Sequence, residues 1–210
     1  MKTSRLALYA ILTATILLIA PLGTTDPARA QGPPAPAASL SGQLLVALPE
    51  LEDPRFTKTV IYMVKHDSRG AVGLILNRPL GDIPIAVLLK QAGLPNQGAK
   101  GSVKLHVGGP VEATRVSVLH SDDYKGPETS VVAGGIALTS TPEILQAIAA
   151  GKGPRQAHFS VGFAGWGPGQ LEGEIKGGAW LTVPSDNAIL FDGAYETKWD
   201  RAMAKRRINL

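Results

Sequence analysis

Short apolar runs separated by turn-forming residues constrain this chain more than any other feature of its sequence. Residues 59–64 and 71–76 are apolar and rich in β-branched side chains, and residues 67–70 between them have the composition of a turn. Each run has the length of a strand rather than that of a typical helix. We therefore predict a buried β-hairpin at this point of the chain.

The same patterns predict an α+β fold with a mostly antiparallel sheet. Strands outnumber helices and do not alternate with them regularly, which argues against a doubly wound parallel sheet. Asp82 is expected to cap the first helix, with Pro84 in its first turn, and Thr141 is expected to cap the second. Further strands are predicted at residues 44–48, 103–107, 116–120, 131–138, 158–163 and 179–183, and helices at 83–92, 141–150, 170–176 and 195–205.

The first thirty residues have the pattern of a secretory signal peptide. Lys2 and Arg5 give a positive start, an apolar run follows over residues 6–20, and a small-residue pattern ends at Ala30. We expect cleavage between Ala30 and Gln31. The mature chain is then exported, with the periplasm as its compartment.

The alternative for this segment is a retained membrane anchor. Residues 6–23 approach the roughly 20 apolar residues that a spanning helix needs, although Pro21 and the cleavage pattern oppose it. Residues 31–39 are rich in proline and alanine and are expected to form an extended tether. The remaining residues, 40–210, are enough for one sizeable core, so we predict a single domain there.

Composition excludes several classes of function. The 210 residues include no cysteine, which rules out disulfides, thiolate ligands and thiol catalysis. The formal charge of +4 falls to +2 without the signal, which carries three basic residues and one acid, so there is no strong nucleic-acid signal. The one basic cluster is interpreted as a solvated helix face and tail rather than as a site for phosphate or lipid headgroups: Lys198, Arg201, Lys205, Arg206 and Arg207.

The motifs of common enzymes are incomplete in this sequence. A dinucleotide-binding fingerprint would need a third glycine where Glu172 follows Gly167 and Gly169. No phosphate-binding loop occurs, and Ser160 lacks one of the two glycines of a hydrolase nucleophile elbow. Residues 120–123, His-Ser-Asp-Asp, are adjacent in a strand and therefore point to alternate faces. We predict no catalytic residue and no cofactor.

The four histidines are dispersed and include no H-x-x-x-H pair, so no metal site is predicted. His106 and His120 lie on strands that we expect to be adjacent, and both could then reach one site. The alternative is that each histidine is a hydrogen-bonded core or surface residue.

Two loops that follow strands have compositions suited to binding. In Asn77-Arg78-Pro79 a guanidinium stands beside a rigid turn, where it can bind a carboxylate or phosphate or can lock the loop. In Gly108-Gly109 consecutive glycines can form an anion-binding nest of backbone N–H groups or simply a tight turn.

A third loop carries an indole among glycines. Gly165 and Trp166 precede a predicted helix whose first turn holds Gln170 and Glu172. Because ordering glycine costs more backbone entropy than ordering any other residue, this tryptophan is expected either to plug the core or to line a pocket. The candidate ligand-binding residues are therefore Asn77, Arg78, Gly108, Gly109, Gly165, Trp166, Gln170 and Glu172.

An ordered set of motifs extends from about residue 40 to residue 202. It comprises Gly42-Gln43-Leu44-Leu45, Asp53-Pro54 with Phe56, Gly70-Ala71-Val72-Gly73, Asn77-Arg78-Pro79, Gly108-Gly109-Pro110-Val111 and Gly165-Trp166-Gly167-Pro168-Gly169-Gln170-Leu171-Glu172 with Trp180. In this order and spacing the motifs resemble the AlgH/YqgE family of bacterial proteins.

The resemblance implies a split, mostly antiparallel sheet that curls into a pseudo-barrel flanked by helices. It implies no catalytic residue, since none is agreed for the family, whose name comes from a link to transcriptional control of alginate production. Family members usually lack an export signal and are taken to be cytoplasmic, so the first thirty residues are a departure from the family pattern.

Three functions follow as hypotheses. The first is a non-enzymatic exported domain that binds a small ligand or a protein partner through the loops bearing Arg78, Gly109 and Trp166. The second is a cytoplasmic regulator affecting transcription, whose N-terminus is either mis-started or retained uncleaved as the only contact with a membrane. The third is a metal-free hydrolase, which needs His120 and Asp122, or His106, to converge on a nucleophile.

Overall fold

The structure of the protein is a computed structural model that describes residues 38–96 and 98–208. The predicted signal peptide, its cleavage site between Ala30 and Gln31, and residues 31–37 of the predicted tether lie outside the described residues. Within the described ranges, no helix is both long enough and apolar enough to cross a membrane.

The described chain contains short strands and short helices in an irregular order. The strands are β1 Gln43–Ala47, β2 Val60–Asp67, β3 Gly70–Ile75, β4 Pro79–Pro84, β5 Ser102–Val107, β6 Val111–Ser121, β7 Ser130–Ala133, β8 Ile136–Thr139, β9 Ala157–Trp166 and β10 Trp180–Pro184. The helices are α1 Ile85–Gln91, α2 Glu143–Ala149, α3 Gln170–Lys176, α4 Asn187–Phe191 and α5 Lys198–Ala204, with 3₁₀ turns at Tyr195–Thr197 and Lys205–Ile208.

One sheet joins all of these strands, and β9 is its hub. The main path runs β10-β1-β2-β3-β9-β6-β8-β7, while β5 pairs with β9 and carries β4 at its other edge. Among the described strands only the β5–β9 pairing is parallel. The sheet curls into a half-barrel with several helices, which confirms the predicted α+β class.

Both faces of the central strands are buried. Side chains alternate along a strand, so on one face Leu44 and Val46 join a core that includes Leu190 of α4. On the other face Leu45 joins a core that includes Trp180. Double-sided burial explains why β1 and β2 have continuous apolar sequences. The hairpin predicted from residues 59–76 is confirmed as β2–β3.

The start of the first predicted helix is a strand instead. Residues 79–84 form β4, which pairs only with β5 in the described chain. Asp82 lies 3.0 Å from the Nζ of Lys104 across that pair (Oδ1 to Nζ), and α1 begins at Ile85 without a side-chain cap. The predicted cap is therefore wrong, because pairing with a distant strand outweighs the local helix signal. Pro84 is tolerated since β4 is an edge strand.

The strand predicted at residues 131–138 is a hairpin. Gly134 and Gly135 have φ angles of +59° and +76° and join β7 to β8. Two consecutive residues with positive φ form the tight turn whose twist suits adjacent strands. The Gly-Gly pair is a hairpin signal in the sequence, and the prediction of a single strand overlooked it.

Two helix starts also differ from prediction. The Thr141 hydroxyl donates to the carbonyl of Pro127 (3.2 Å) and does not cap α2. The sequence did not predict α4, which is capped by Asp186: its Oδ1 accepts from the backbone N–H of Ile189 at 2.8 Å.

In the C-terminal basic cluster Lys198, Arg201 and Lys205 form ion pairs instead of a solvated face, whereas Arg206 is exposed as predicted. Lys198 is fully buried, and its Nζ donates to the carbonyl of Ile189 (2.5 Å) and to Oδ1 of Asp192 (2.8 Å). Arg201 donates to the other oxygen of Asp192 at 2.6 Å, and Lys205 forms a further ion pair. Burial lowers the pKa of Lys198, while the hydrogen bond to Asp192 opposes that shift. These side chains tie α5 and the turn after it to α4 and to the residues at both of its ends.

Candidate functional site

A cavity of about 440 Å³ lies where the loop before β2, the end of β9 and α3 meet. Trp180 meets Phe56 and Trp166 edge-on, with ring centroids 5.7 and 6.0 Å apart and interplanar angles of 72° and 81°. Such edge-to-face contacts are the preferred arrangement of aromatic rings. We call this the aromatic cavity, and its lining is Leu51, Asp53, Arg55, Phe56, Pro110, Val111, Gly165, Trp166, Gln170, Glu174 and Trp180.

Glu174 is the polar centre of the aromatic cavity. Its Oε2 accepts hydrogen bonds from the indole Nε1 of Trp166 (2.9 Å) and of Trp180 (2.7 Å), and its Oε1 accepts from the Nε2 of Gln170 (2.9 Å). In the part of the chain that the structure describes, no basic side chain lies within ion-pair distance of this carboxylate. Three neutral donors thus fix the carboxylate without neutralising its charge.

Trp166 both packs in the core and lines the cavity. It is 8% exposed and belongs to the same core as Leu171 and Trp180, yet its N–H edge is directed to Glu174 in the cavity wall. The two expectations for this residue, core plug and pocket wall, therefore both describe its place.

A second cavity of about 300 Å³ adjoins the first. The two share Arg55 and Pro110 in their walls, and together we call them the groove. The Nη2 of Arg55 lies 2.7 Å from Oδ2 of Asp53, and the guanidinium lies 5.6 Å from the centroid of the Phe56 ring. Hydrogen bonds from Arg55 lower the pKa of Asp53. We call the second part the arginine cavity, lined by Pro54, Arg55, Ile75, Arg78, Val107, Gly109 and Pro110.

The structure brings the three loops singled out from the sequence to this one groove. Arg78 and Gly109 line the arginine cavity, whereas Gly165, Trp166 and Gln170 line the aromatic cavity. The structure shows where these five residues lie, and a binding role for them stays a prediction.

Two further candidates support the frame of the site. Asn77 accepts from the backbone N–H of Val60 (3.0 Å) and donates to the carbonyl of Lys58 (2.8 Å). Glu172 pairs with His66 through Oε1 and Nε2 at 2.9 Å. Hydrogen bonds from its own backbone N–H and from His66 lower the pKa of Glu172. Neither side chain belongs to the lining of the groove.

Arg78 also braces a loop. Its Nη2 donates to the carbonyl of Thr57 at 2.6 Å, which uses one face of the guanidinium fork. Arg78 therefore locks the loop, as one of the two expectations for it stated. Because Arg78 also lines the arginine cavity, it can contact a ligand there as well.

Gly108 and Gly109 are required by close packing of backbones. A Cβ on Gly109 would collide with the backbone of Phe163, and one on Gly108 would collide with the carbonyl of Gly162. The N–H of Gly108 donates to the carbonyl of Val161 at 2.8 Å. Because that N–H is already used, a nest formed by both glycines is not the arrangement found.

The histidines do not form a common site of the predicted kind. β5 and β6 lie on opposite sides of β9 and are not neighbours, so His106 and His120 are separated. His106 instead stacks on His158 with ring centroids 4.0 Å apart. His120 is engaged by the carbonyl of Ser121 (2.8 Å) and the hydroxyl of Thr139 (2.9 Å).

The stacked pair is sealed in the interior. The carbonyl of Phe159 can only accept, so the Nδ1 of His106, 3.0 Å away, carries a proton. The Nε2 atoms of His106 and His158 and the Oγ of Ser160 are buried and have no hydrogen-bond partner among the described residues. Burial lowers the pKa of both histidines, most strongly that of His158, which His106 lowers further. No group of three or more histidine or acidic side chains in the described chain is placed to hold a metal.

Among the groove residues that the sequence analysis did not identify as functional are Glu174 and three aromatic or basic residues. The spacing of Glu174 from Gln170 is i to i+4, which places both on one face of α3 and is a usable signal. The others come from distant parts of the chain and had no local signal for a pocket: Arg55, Phe56 and Trp180.

Comparison with known proteins connects the chain to a bacterial family. Residues 44–210 match a family model described as AlgH-like. A UPF0301 protein of Methylobacterium sp. (strain 4-46) is 45% identical over 194 residues, which cover 88% of this chain and 90% of that protein. A UPF0301 protein of Caulobacter vibrioides (strain NA1000 / CB15N) is 45% identical over 168 residues, covering 79% and 86% of the two chains.

Two solved structures share the fold. The solution structure of the AlgH protein from Pseudomonas aeruginosa superposes with a TM-score of 0.69 at 38% identity, covering 82% of this chain and 91% of that chain. The crystal structure of a Corynebacterium diphtheriae protein superposes with a TM-score of 0.58 at 21% identity, covering 80% and 86%. The resemblance found in the sequence is confirmed.

Proposed function

The chain belongs to the AlgH-like family, and we propose that it is a non-enzymatic binding protein whose ligand site is the groove. The observation that carries the proposal is the meeting of Arg78, Gly109 and Trp166, from three separate segments of the chain, around two adjoining cavities. The ligand is a small molecule or a short segment of a partner that fits these cavities.

The size and construction of the groove support this role. Its two cavities, of about 440 and 300 Å³, are comparable with known ligand sites. The walls combine apolar and aromatic surface with a few placed polar groups, which is the usual composition of such sites. The edge-on contacts of Trp180 and the hydrogen bonds to Glu174 hold the walls before any ligand arrives. Binding then costs little reorganisation.

The polar clusters outside the groove do not favour a hydrolase. The hydroxyl of Ser160 makes no hydrogen bond to an imidazole in the described chain. The carboxylate of Asp123 accepts from Ser121 (2.6 Å) and Arg155 (2.9 Å), and both ring nitrogens of His120 are occupied. A hydroxyl does lie next to an imidazole at Thr139, 2.9 Å from the Nε2 of His120, but both residues are fully buried and so are closed to a substrate.

The test uses a substitution that fills the groove from its rim. Val111 lines the aromatic cavity and is 39% exposed, so Val111→Trp adds an indole there without disturbing the core. Val131, 59% exposed on β7, lies outside the groove lining, and Val131→Trp is the matched control. Fragments found by ligand-observed NMR should bind the unsubstituted protein and Val131→Trp, and should bind Val111→Trp at least about tenfold more weakly. Equal binding to both variants would contradict the proposal.

We further propose that this binding takes place outside the cytoplasm. Support comes from the sequence of the first thirty residues, with its basic start, apolar run and small-residue pattern ending at Ala30. N-terminal sequencing of the protein from cell fractions tests it. A chain beginning at Gln31 in the periplasmic fraction is expected, and a chain beginning at Met1 among soluble cytoplasmic proteins would refute the location.

A further inference from the structure

Resting on the proposed function, we propose that the aromatic cavity takes an organic cation, of the quaternary or methylated ammonium class, beside Glu174. The inference concerns the chemistry of the ligand group at this end of the groove. It starts from a carboxylate that is fixed in a cavity wall, surrounded by aromatic rings, and not paired with a base in the described chain.

The charges along the groove set the sign of the ligand group. The aromatic cavity is lined by the carboxylates of Asp53 and Glu174 and by the guanidinium of Arg55. Arg55 neutralises Asp53 at 2.7 Å, so Glu174 leaves one net negative charge at this end. The arginine cavity is lined by Arg55 and Arg78 and by no acid. A cationic group is therefore attracted to the Glu174 end and repelled from the other.

The aromatic rings favour an organic cation over a hydrated one. A cation near the face of an aromatic ring is attracted by the ring's quadrupole, and cages of several rings recognise methylated ammonium groups. The wall of this cavity already holds such a contact, because the guanidinium of Arg55 lies 5.6 Å from the centre of the Phe56 ring. Trp166 and Trp180 line the same cavity, with their indole N–H edges directed to Glu174.

A metal ion matches the same site poorly. Calcium and magnesium take six or more oxygen ligands, including waters, and prefer several carboxylates. Glu174 stands as one carboxylate whose two oxygens already accept three hydrogen bonds, from Trp166, Trp180 and Gln170. Glu174 can still attract a cation at longer range, and the aromatic rings of the cavity give a surface of low polarity. Both properties suit a methylated ammonium group.

The experiment compares two ligands of the same shape. Choline and 3,3-dimethyl-1-butanol differ in that a quaternary nitrogen replaces a quaternary carbon, so only the charge changes. Isothermal titration of the full chain should give a dissociation constant about tenfold lower for choline than for the neutral alcohol. Because this comparison uses the unsubstituted protein, it does not depend on the folding of any variant.

Substitution then assigns the effect to Glu174. Glu174→Gln removes the charge and keeps an oxygen for the indole N–H groups, so the preference for choline should fall to about twofold or less. Glu143→Gln is the matched control, since Glu143 is an exposed glutamate of α2 that lies outside the lining of the groove. The control should keep the full preference.

The outcomes separate this inference from the proposed function. Equal affinity for choline and the alcohol, both abolished by Val111→Trp, would overturn the cation site and leave the groove as a binding site. A failure of choline to bind, while other fragments bind and lose affinity in Val111→Trp, would likewise overturn the cation site and leave the groove as a binding site. Choline binding that is unaffected by both Val111→Trp and Glu174→Gln would place the cation elsewhere and overturn the inference.

Discussion

Two clusters in this protein combine aromatic rings with polar groups, and they differ in their access to solvent. The aromatic cavity is open, and the carboxylate of Glu174 within it accepts three hydrogen bonds. The second cluster, which we call the histidine cluster, consists of His106, His158, Tyr195 and Lys198 beneath the C-terminal helix. Its two histidines are buried and keep unpartnered ring nitrogens.

The difference separates a site prepared for a ligand from a site devoted to stability. In the cavity the protein has satisfied its own polar groups and left space beside them, so a ligand adds contacts without breaking any. In the histidine cluster the two imidazoles are buried against each other, and each buried polar atom affects the free energy of unfolding. Changes in the first should therefore alter binding, and changes in the second should alter stability.

The largest effect is expected from Asp192→Ala. This change leaves the buried ammonium of Lys198 without its carboxylate, and a buried charge that loses its partner is strongly destabilising. We expect the free energy of unfolding to fall by about 3 kcal/mol in urea titrations. Lys198→Met removes the charge itself and leaves Asp192 paired with Arg201, so it should cost less. The reverse order would contradict this account of the cluster.

Acid should weaken the protein through its buried histidines. His106, His120 and His158 have pKa values lowered from 6.5, each mainly by burial. The unfolded chain therefore binds protons below about pH 6.5 that the folded chain does not bind, and stability is lost as the pH falls. Lys104 and Lys198 repel a proton on His106, whereas Asp122 and Asp123 favour one on His120.

Urea titrations at pH 7.5, 6.0 and 5.0 measure this loss. Each histidine that stays neutral in the folded state should contribute about 1.4 kcal/mol per pH unit below its unfolded pKa. His158→Gln should lower the dependence of the unfolding free energy on pH by the contribution of one histidine. The carboxylates with lowered pKa values have ordinary values of 3.8 to 4.5, so they contribute only in more acidic solution. A flat stability between pH 7.5 and 5.0 would show that the histidines are not held neutral.

In the aromatic cavity smaller losses are expected from Trp166→Phe and Trp180→Phe. Each removes one indole N–H from Glu174 while keeping most of the ring, so the free energy of unfolding should fall by about 1 kcal/mol. Affinity for choline should change in both variants. In Trp199→Phe, which removes an indole bond to the carbonyl of Ala47, stability should fall similarly and affinity should not change. Loss of choline binding in Trp199→Phe would contradict the assignment of choline to the aromatic cavity.

The smallest effect on stability is expected from Arg55→Ala. Its ion pair with Asp53 is exposed, and such pairs contribute little to folding. The melting temperature should not change measurably, whereas an anionic fragment bound in the arginine cavity should lose affinity. Arg78→Ala should lower the melting temperature slightly, because it removes the bond to the carbonyl of Thr57. A large stability loss in Arg55→Ala would mean that the groove rim is part of the core.

The fold could be predicted where local pattern and tertiary structure agree. The β2–β3 hairpin and α3 follow from β-branched runs, turn residues and glycine punctuation. β4 could not be predicted, because residues 79–84 are a strand only through pairing with β5. The burial of Lys198 was missed for a related reason: its partner Ile189 lies on a short helix with little sequence signal of its own, and its partner Asp192 follows that helix directly.

The candidate site was predictable in part. The glycines around Trp166 and the Asn77-Arg78-Pro79 turn drew attention because their composition is costly in a plain loop, and the structure places Arg78 and Trp166 along the groove. Sequence could not reveal that Phe56 and Trp180 face the same cavity, since their contact depends on how the sheet curls. Gly108 and Gly109 were interpreted as an anion-binding nest or a tight turn, whereas in the structure their small size allows backbones to pack closely against β9.

The most direct test of the binding site uses the three tryptophans of the chain. Trp166 and Trp180 direct their indole N–H groups into the aromatic cavity, whereas that of Trp199 donates to Ala47. In ¹H–¹⁵N spectra of the full chain, titration with choline or with a groove-binding fragment should shift the Trp166 and Trp180 indole signals and leave that of Trp199 in place. If ligands that bind the protein shift the Trp199 signal alone, or shift none of the three, the groove is not the binding site.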